Sequence, residues 1–245
     1  MIFAPTEKDL FNIVASTHAA DRIPLLMKDI EDTWSQKTKN PYAHGTFKAL
    51  MYGLHNLQNS LDFPVKDINL ITDIQKSEQS LAWLKELHKR MVEPIATSPS
   101  MESDNNAPNR FEIGYYRFKS AQVITQEAPP ASLIPAIMHN WIKDIGKYHL
   151  SIKDKIDNPY AFTGDEAKEL SLRAQNIPLF FSVVQPFSYG NQRLGRLVET
   201  IFRWKWNLPL VHYWPETNEH RKLLLNLAEY EKLIPEISAK AKDIK

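Results

Sequence analysis

Glycine is scarce in this sequence, and its scarcity limits the available folds more than any other feature. The chain has 7 glycines among 245 residues, whereas an average usage of about 7% would give roughly 17. Folds rich in β-hairpins use glycine at turn positions with positive φ. We therefore expect a mostly helical protein. No Gly-x-Gly occurs, which excludes the dinucleotide-binding fingerprint.

The remaining composition is that of an ordinary globular protein, with 43% apolar and 24% charged residues. The 30 basic residues nearly balance the 29 acidic ones, so we expect neither nucleic acid nor a membrane as a partner. Cysteine is absent, which excludes disulfide frameworks, thiol nucleophiles and zinc fingers. The first residues lack the basic start and apolar run of a signal peptide. We expect a soluble, cytoplasmic protein forming one domain over residues 1–245.

Apolar residues recur at helical spacing along most of the chain. The predicted helices cover 10–34 with a break at Pro24, 47–61, 67–92, 133–145, 194–202 and 216–237. Thr163 and Glu166 form a capping-box pattern that opens a further helix toward 177–184. Residues 97–109 are polar and predict a long loop.

One region has the pattern of β-structure. Residues 111–115 alternate between apolar and other side chains, and residues 122–125 are rich in β-branched side chains. The two runs predict a short hairpin.

Two arginines begin the predicted helix 194–202, directly after a turn at 190–192. Arg193 and Arg196 lie three positions apart, and two guanidinium groups at the positive end of a helix dipole need a negative partner. Phosphate would satisfy them, and so would carboxylates elsewhere in the fold. Both interpretations stay open on the spacing alone. A P-loop is excluded because Arg196 and Leu197 stand where Lys and Ser or Thr are required.

Residues 185–196 read QPFSYGNQRLGR and resemble the signature of Fic (Fido) domain proteins, His-Pro-Phe-x-(Asp/Glu)-Gly-Asn-Gly-Arg-x-x-Arg. The resemblance extends to the family's flap, a β-hairpin that aligns the target segment. It implies an all-α, Fic-like helical domain with a small β-hairpin flap, built from a core over 41–235 and an N-terminal helical segment over 1–40. The residues matched to the flap are Tyr115, Tyr116, Arg117, Gln122 and Val123.

The resemblance also implies an activity. Fic proteins typically transfer AMP from ATP to a hydroxyl group of a protein, with the signature His as general base and the acidic residue holding Mg²⁺. Gln185 stands at the position of that base and Tyr189 at the position of the acidic residue. The residues that the resemblance assigns to phosphate or nucleotide binding are Gly190, Asn191, Gln192, Arg193 and Arg196.

Three departures from the signature concern the chemistry. Gln185 does not take up a proton near neutral pH, and losing a positioned base costs about 10²–10⁴-fold in rate. Tyr189 is a poor magnesium ligand, and Gln192 replaces a glycine. We expect an impaired pseudoenzyme that binds ATP or another nucleotide without a protein-held metal and acts on or binds a protein. The alternatives are a transferase with altered chemistry, using substrate phosphate or His212 as base, and a non-enzymatic interaction module.

A segment near the N-terminus resembles the inhibitory helix of many Fic proteins, (Ser/Thr)-x-x-x-Glu-(Gly/Asn). Here Thr17 and Asp21 have the required spacing, while Arg22 replaces the small residue. The resemblance implies that Asp21 pairs with Arg196. The alternative is that Asp21 faces water. Whether the chain forms a homo-oligomer is left open.

Overall fold

A computed structural model describes residues 5–23, 25–59, 74–99, 107–156, 158 and 161–242. Helices dominate these ranges, as the glycine count predicted, with two short 3₁₀ turns at Arg110–Glu112 and Ala131–Leu133. The α-helices are α1 (Glu7–Ala20), α2 (Met27–Trp34), α3 (Pro41–Asn59), α4 (Ile74–Ala96), α5 (Ile134–Ile156), α6 (Gly164–Val184), α7 (Asn191–Lys205), α8 (Asn218–Glu231) and α9 (Ile234–Lys242).

Side-chain caps begin several of these helices. At the start of α6, the Thr163 hydroxyl accepts a hydrogen bond from the amide of Glu166, and the Glu166 carboxylate accepts one from the amide of Thr163 at 2.9 Å. The predicted capping box is therefore confirmed. Thr6 and Asp9 form the same reciprocal pair at the start of α1. Both caps satisfy amides that the first helical turn leaves free.

Three helices end without glycine at the position where glycine is most common. Arg22, Gln36 and Asn207 adopt left-handed backbones with φ of 58°, 60° and 56°. After α1, the amide of Arg22 donates to the carbonyl of Ala19, and the amide of the next residue donates to His18. This is the Schellman pattern of helix termination. A chain poor in glycine thus still closes its helices with left-handed residues.

The structure also corrects the extent of some predicted helices. The predicted helix 216–237 is two helices, because Pro235 has no amide hydrogen to continue the hydrogen-bond ladder past Glu231. The helix predicted over 67–92 runs instead to Ala96, and its predicted start lies outside the described residues. Most of the predicted loop 97–109 also lies outside them.

Helix α7 lies at the centre of the packing and contacts α1, α3, α4 and α6. Its apolar side chains, such as Leu194 and Leu197, are fully buried. Its polar residues Arg193, Arg196 and Glu199 are buried as well. Helix α7 has an apolar and a polar side, but both sides are buried in the fold. Across the described ranges, every helix is too short or too polar to cross a lipid bilayer.

Two glycines allow the helices around α7 to approach closely. A Cβ at Gly45 on α3 would lie 2.1 Å from the carbonyl oxygen of Met91 on α4. A Cβ at Gly195 on α7 would lie 2.8 Å from the Cα of Pro178 on α6. The crossings of α3 with α4 and of α6 with α7 thus both require the absence of a side chain at one position.

The predicted flap hairpin does not form. Residues 111–115 do not pair with 122–125, and the one β-bridge among the described residues joins Gln122 to Glu127. Two backbone amides of this segment have distant acceptors: Gly114 donates to His88, and Arg117 donates to Pro186. Phe111 is 90% exposed, so the alternating pattern does not mark a half-buried strand.

Candidate functional site

The signature-like residues 185–196 form a tight connection between α6 and α7. Gln185 ends α6 in a left-handed conformation with φ of 45°, and Gly190 precedes α7 with φ of 73°. A Cβ at Gly190 would lie 3.0 Å from the Cε of Met91. Both the backbone conformation and the nearby side chain therefore favour glycine at position 190.

Asn191 fixes the shape of this loop. Its Oδ1 accepts a hydrogen bond from the amide of Phe187 at 2.9 Å, and its Nδ2 donates to the carbonyl of Phe187 at 2.7 Å. Phe187 itself is 1% exposed. The two bonds and the buried ring hold the loop against the start of α7, which gives the signature Asn a structural role.

His88 on α4 is a residue of this site that sequence reasoning missed. Its ring stacks on Phe187 with centroids 4.0 Å apart. Its Nε2 donates to the carbonyl of Tyr189 at 2.9 Å, and its Nδ1 accepts from the amide of Gly114 at 3.0 Å. Burial lowers the pKa of His88 to about 4, so the ring is neutral and can make both bonds. The available signal was a histidine on the apolar side of the predicted helix 67–92.

Arg117 clamps the segment after the 3₁₀ turn onto the end of α6. It is buried, and its Nε donates to the carbonyl of Gln185 at 2.6 Å. Its terminal nitrogens donate to the carbonyls of Lys119 at 2.7 Å, Pro129 at 2.5 Å and Val184 at 3.3 Å. The side chain thus satisfies carbonyls that the end of α6 leaves free and is not available to a target segment.

The side chain of Gln185 acts as a hydrogen-bond donor. Its Nε2 donates to the carbonyl of Gln122 at 2.8 Å, which ties the loop to residues 121–128. These residues fold back on themselves, with the amide of Ala128 donating to Ala121 at 2.8 Å. Where the family places a proton acceptor, this chain therefore has an amide engaged with backbone.

Glu231 at the end of α8 holds the tip of the 121–128 turn. Its carboxylate accepts hydrogen bonds from the amides of Thr125 at 2.7 Å and Gln126 at 2.8 Å. Burial acts to raise the pKa of Glu231, but these backbone hydrogen bonds lower it overall. The turn is therefore anchored at both ends, by Gln185 at its base and by an ionised Glu231 at its tip.

Asp21, just after α1, supplies the negative partner of the two arginines at the start of α7. Its carboxylate contacts the guanidinium of Arg196 and lies 3.2 Å from the Nε of Arg193. Arg196 also donates to the carbonyl of Thr17 at 2.9 Å, so the negative end of the α1 dipole faces it. Of the two interpretations left open by the spacing, the carboxylate one describes this conformation.

The ring of Tyr189 lies against the guanidinium of Arg193. The guanidinium carbon of Arg193 is 4.9 Å from the ring centroid of Tyr189 and 5.5 Å from that of Tyr42. Cation–π contacts of this kind stabilise a desolvated guanidinium. In the described residues, no cluster of three His, Cys, Asp or Glu side chains has the arrangement of a metal site.

Positive charge exceeds negative charge at this site. The Nη1 of Arg193 and the Nε of Arg196 are buried without a hydrogen-bond acceptor among the described residues. His18 lies nearby, and its burial, followed by the charges of Arg193 and Arg196, lowers its pKa well below the usual value. His18 is therefore neutral, and one carboxylate faces two guanidinium groups.

A second buried network follows along α7 and was also missed. Glu199 accepts a hydrogen bond from the Nε of Arg203 at 2.6 Å and another from the hydroxyl of Tyr213. Burial raises the pKa of Glu199. The i, i+4 spacing of Glu199 and Arg203 was the available signal. The hydrogen bonds of Glu199 go to Arg203 and Tyr213, while the charge of Arg196 acts on it from the preceding turn to lower its pKa.

The structure thus brings most of the predicted site residues together, but two of them have exposed side chains, and His212, the suggested substitute base, lies near Asp9. Tyr115 is 69% exposed, and Gln192 is exposed on the first turn of α7. Burial lowers the pKa of His212 and the charge of Asp9 acts to raise it, so the two side chains are near each other. Asp9 and Asp21 are separated by about 18 Å along the axis of α1, at 1.5 Å per residue. That placement gives no support to His212 as a substitute base.

Comparisons with known proteins identify the fold. The structure is similar to a fragment of Fic-1 from C. elegans, with a TM-score of 0.54 and 16% sequence identity. The alignment covers 96% of this chain and 61% of the Fic-1 chain, so the chain spans about three fifths of that structure. No protein-family profile matches the sequence, and no curated protein matches it significantly. The likeness shows a Fic-like helical fold.

Proposed function

We propose that this chain is a Fic-fold pseudoenzyme that binds the phosphate groups of a nucleotide in exchange for Asp21 and acts through a protein partner. The observation that carries the proposal is the excess of positive charge at the start of α7. Two buried guanidinium groups share one carboxylate, and each retains a nitrogen without an acceptor. A buried charge without a partner is costly, so the site favours a more highly charged anion over Asp21.

The residues present fit phosphate better than they fit magnesium. Arg193 and Arg196 can each donate two hydrogen bonds to phosphate oxygens, and Asn191 keeps the loop beside them in place. Tyr189 offers a neutral phenol engaged with Arg193, which is a poor ligand for a hard cation. Any magnesium at the site would therefore be held by the nucleotide itself.

The same residues argue against AMP transfer by the family's chemistry. The amide of Gln185 donates to the carbonyl of Gln122 and has no basic lone pair to accept the proton of a target hydroxyl. A bound nucleotide would carry the phosphate that family members transfer. This chain's own contribution is limited to binding and orienting that nucleotide.

Exposed apolar side chains next to the site support a protein partner. Phe111, Tyr115, Phe118 and Ile124 are 90%, 69%, 67% and 55% exposed. The first three flank the anchored Arg117, and Ile124 lies on the turn held by Gln185 and Glu231. Large apolar residues on a fixed surface reduce the entropy cost of association.

Calorimetric titration with ATP and ADP, with and without Mg²⁺, tests whether the chain binds a nucleotide. We expect binding that Mg²⁺ changes little and that Arg193→Gln weakens about tenfold or more. Arg173→Gln, which removes an exposed arginine of α6, is the matched control and should bind like the wild type. If neither nucleotide binds, the nucleotide part is wrong and a plain interaction module remains.

Incubation of the protein with labelled ATP and cell lysate tests whether the chain lacks transferase activity. We expect no protein labelling above that of the lysate alone, either with the wild type or with Gln185→His. The single substitution restores a base but leaves Tyr189 where the family has a magnesium ligand. Transfer by the wild type would favour altered chemistry, and strong transfer by Gln185→His would show that position 189 does not limit the reaction.

A further inference from the structure

A groove between α2 and α3 has the composition of a docking site. It encloses about 380 Å³. Its floor is apolar and consists of Trp34, Phe47 and Met51. Lys39, His44 and Lys48 also line it. None of the described residues that line this groove carries a carboxylate.

The floor of the groove is fixed by aromatic packing. The ring of Trp34 lies 5.1 Å from that of Phe47 and 5.9 Å from that of Phe11, measured between centroids. Met51 is 43% exposed although it follows the apolar spacing of α3. The apolar face of α3 therefore continues beyond the core onto the surface, where a flexible thioether adapts to whatever contacts it.

The charges along the groove are of one sign at neutral pH. Burial, followed by the charges of Lys48 and Lys39, lowers the pKa of His44, so the histidine is neutral. The two lysines are exposed. The nearby Asp32 is engaged by Lys37 at 3.6 Å and is not among the lining residues.

We propose that this groove binds an acidic peptide segment of a partner protein, with a large apolar side chain of that segment seated on Trp34, Phe47 and Met51 and its carboxylates facing Lys39 and Lys48. An apolar floor with a cationic edge is complementary to such a segment. The residues that line the groove are different from Asp21, Tyr42 and Tyr189, which contact the arginine pair. The proposal therefore does not depend on nucleotide binding.

The probes are two synthetic amphipathic peptides labelled with fluorescein. Both carry leucine and phenylalanine on one face, and the other face carries glutamate in one peptide and lysine in the second. Fluorescence anisotropy should show binding of the glutamate peptide that weakens at high ionic strength. The lysine peptide should not bind. Equal binding of both peptides, or binding of neither, would overturn the proposal.

Surface variants locate the binding. The double variant Lys39→Glu, Lys48→Glu and the single variant Met51→Asp should each weaken the glutamate peptide about tenfold or more. The matched control reverses two exposed lysines of α5, Lys147→Glu and Lys153→Glu, and should leave affinity within about twofold. Circular dichroism confirms folding, which these exposed positions should preserve.

Analytical ultracentrifugation tests whether a second copy of this chain, rather than a peptide of another protein, occupies the groove. We expect the sedimentation coefficient of the wild type to be the same as that of the double variant. Self-association that Lys39→Glu, Lys48→Glu abolishes would assign the groove to a dimer interface and overturn the peptide proposal. The proposal would also be overturned if the α5 control variant lost as much affinity for the glutamate peptide as the groove variants. The binding would then depend only on the total charge of the protein.

Discussion

The carboxylate of Asp21 contacts the guanidinium of Arg196, although 175 positions separate the two residues in sequence. The contact joins the end of α1 to the first turn of α7, and the same carboxylate lies 3.2 Å from Arg193. Both arginine side chains are 3% exposed. When no other anion is bound, Asp21 therefore offsets the electrostatic cost of burying the two guanidinium groups.

Asp21→Asn should lower the free energy of unfolding by about 2–4 kcal/mol, because it leaves two buried guanidinium groups without a charged partner. Urea denaturation at neutral pH measures this loss. The control is Glu7→Gln, an exposed residue on α1, the helix that Asp21 follows, and it should change stability by less than about 0.5 kcal/mol. A similarly small effect of Asp21→Asn would mean that the ion pair is not important for folding.

Arg22→Gly should stabilise the protein by about 0.5 kcal/mol. Arg22 has φ of 58°, and a left-handed backbone costs a non-glycine residue about 1–2 kcal/mol, part of which the flexibility of glycine in the unfolded chain offsets. The same replacement at Arg221, inside α8, should destabilise by about 1 kcal/mol. Thermal unfolding of both variants should give shifts of opposite sign, and shifts of the same sign would contradict this account of the α1 terminus.

Gly45→Ala should destabilise the protein by about 2–3 kcal/mol, since the new methyl group would meet the backbone carbonyl of Met91 at 2.1 Å. The matched control is Gly164→Ala. No atom lies within 4 Å of a Cβ at Gly164, so that variant should be neutral or slightly stabilising. Chemical denaturation compares the two, and equal effects would show that α3 and α4 do not cross as described.

Stability should fall as the pH is lowered from about 6.5 toward 4, because of His88. Burial lowers its pKa in the folded protein to about 4, while in the unfolded chain it titrates near 6.5. The unfolded state therefore binds a proton first, and the contribution lost by pH 5 is about 2 kcal/mol. Burial of His149, whose pKa is about 3, acts in the same direction.

Urea midpoints at neutral pH and near pH 5 measure this dependence. His88→Gln should be less stable at neutral pH, because it loses the stacking on Phe187, but it should lose less stability on acidification than the wild type. An unchanged pH dependence in the variant would show that His88 does not titrate in this window.

Patterns confined to a few neighbouring residues were predictable from the sequence. The capping box of Thr163 and Glu166 satisfies amides of its own first turn, so four neighbouring residues are enough to predict it. The glycine count predicted the helical class because folds rich in hairpins need glycine at their turns, wherever those turns lie. The hairpin prediction was wrong because the amide of Gly114, inside the first predicted run, finds its acceptor at His88, a partner that no local pattern reveals.

The candidate site was predictable only in part, because its contacts join distant segments. The resemblance to the Fic signature identified Arg193 and Arg196, and the inhibitory-helix pattern identified Asp21. The contacts of His88 with Tyr189 and of Glu231 with Thr125 span 101 and 106 positions. Neither residue belongs to a sequence motif, so only the folded chain reveals that they hold the loop and the turn.

The most direct test of the account is the affinity of ADP for the wild type and for Asp21→Asn, measured by calorimetry at the same ionic strength, with Glu7→Gln as the control. If Asp21 competes with phosphate for Arg193 and Arg196, the variant should bind ADP about tenfold or more tightly than the wild type, and Glu7→Gln should not differ from the wild type. Unchanged or weaker binding by a folded Asp21→Asn protein would contradict the claim that the arginine pair exchanges its carboxylate for a phosphate ligand.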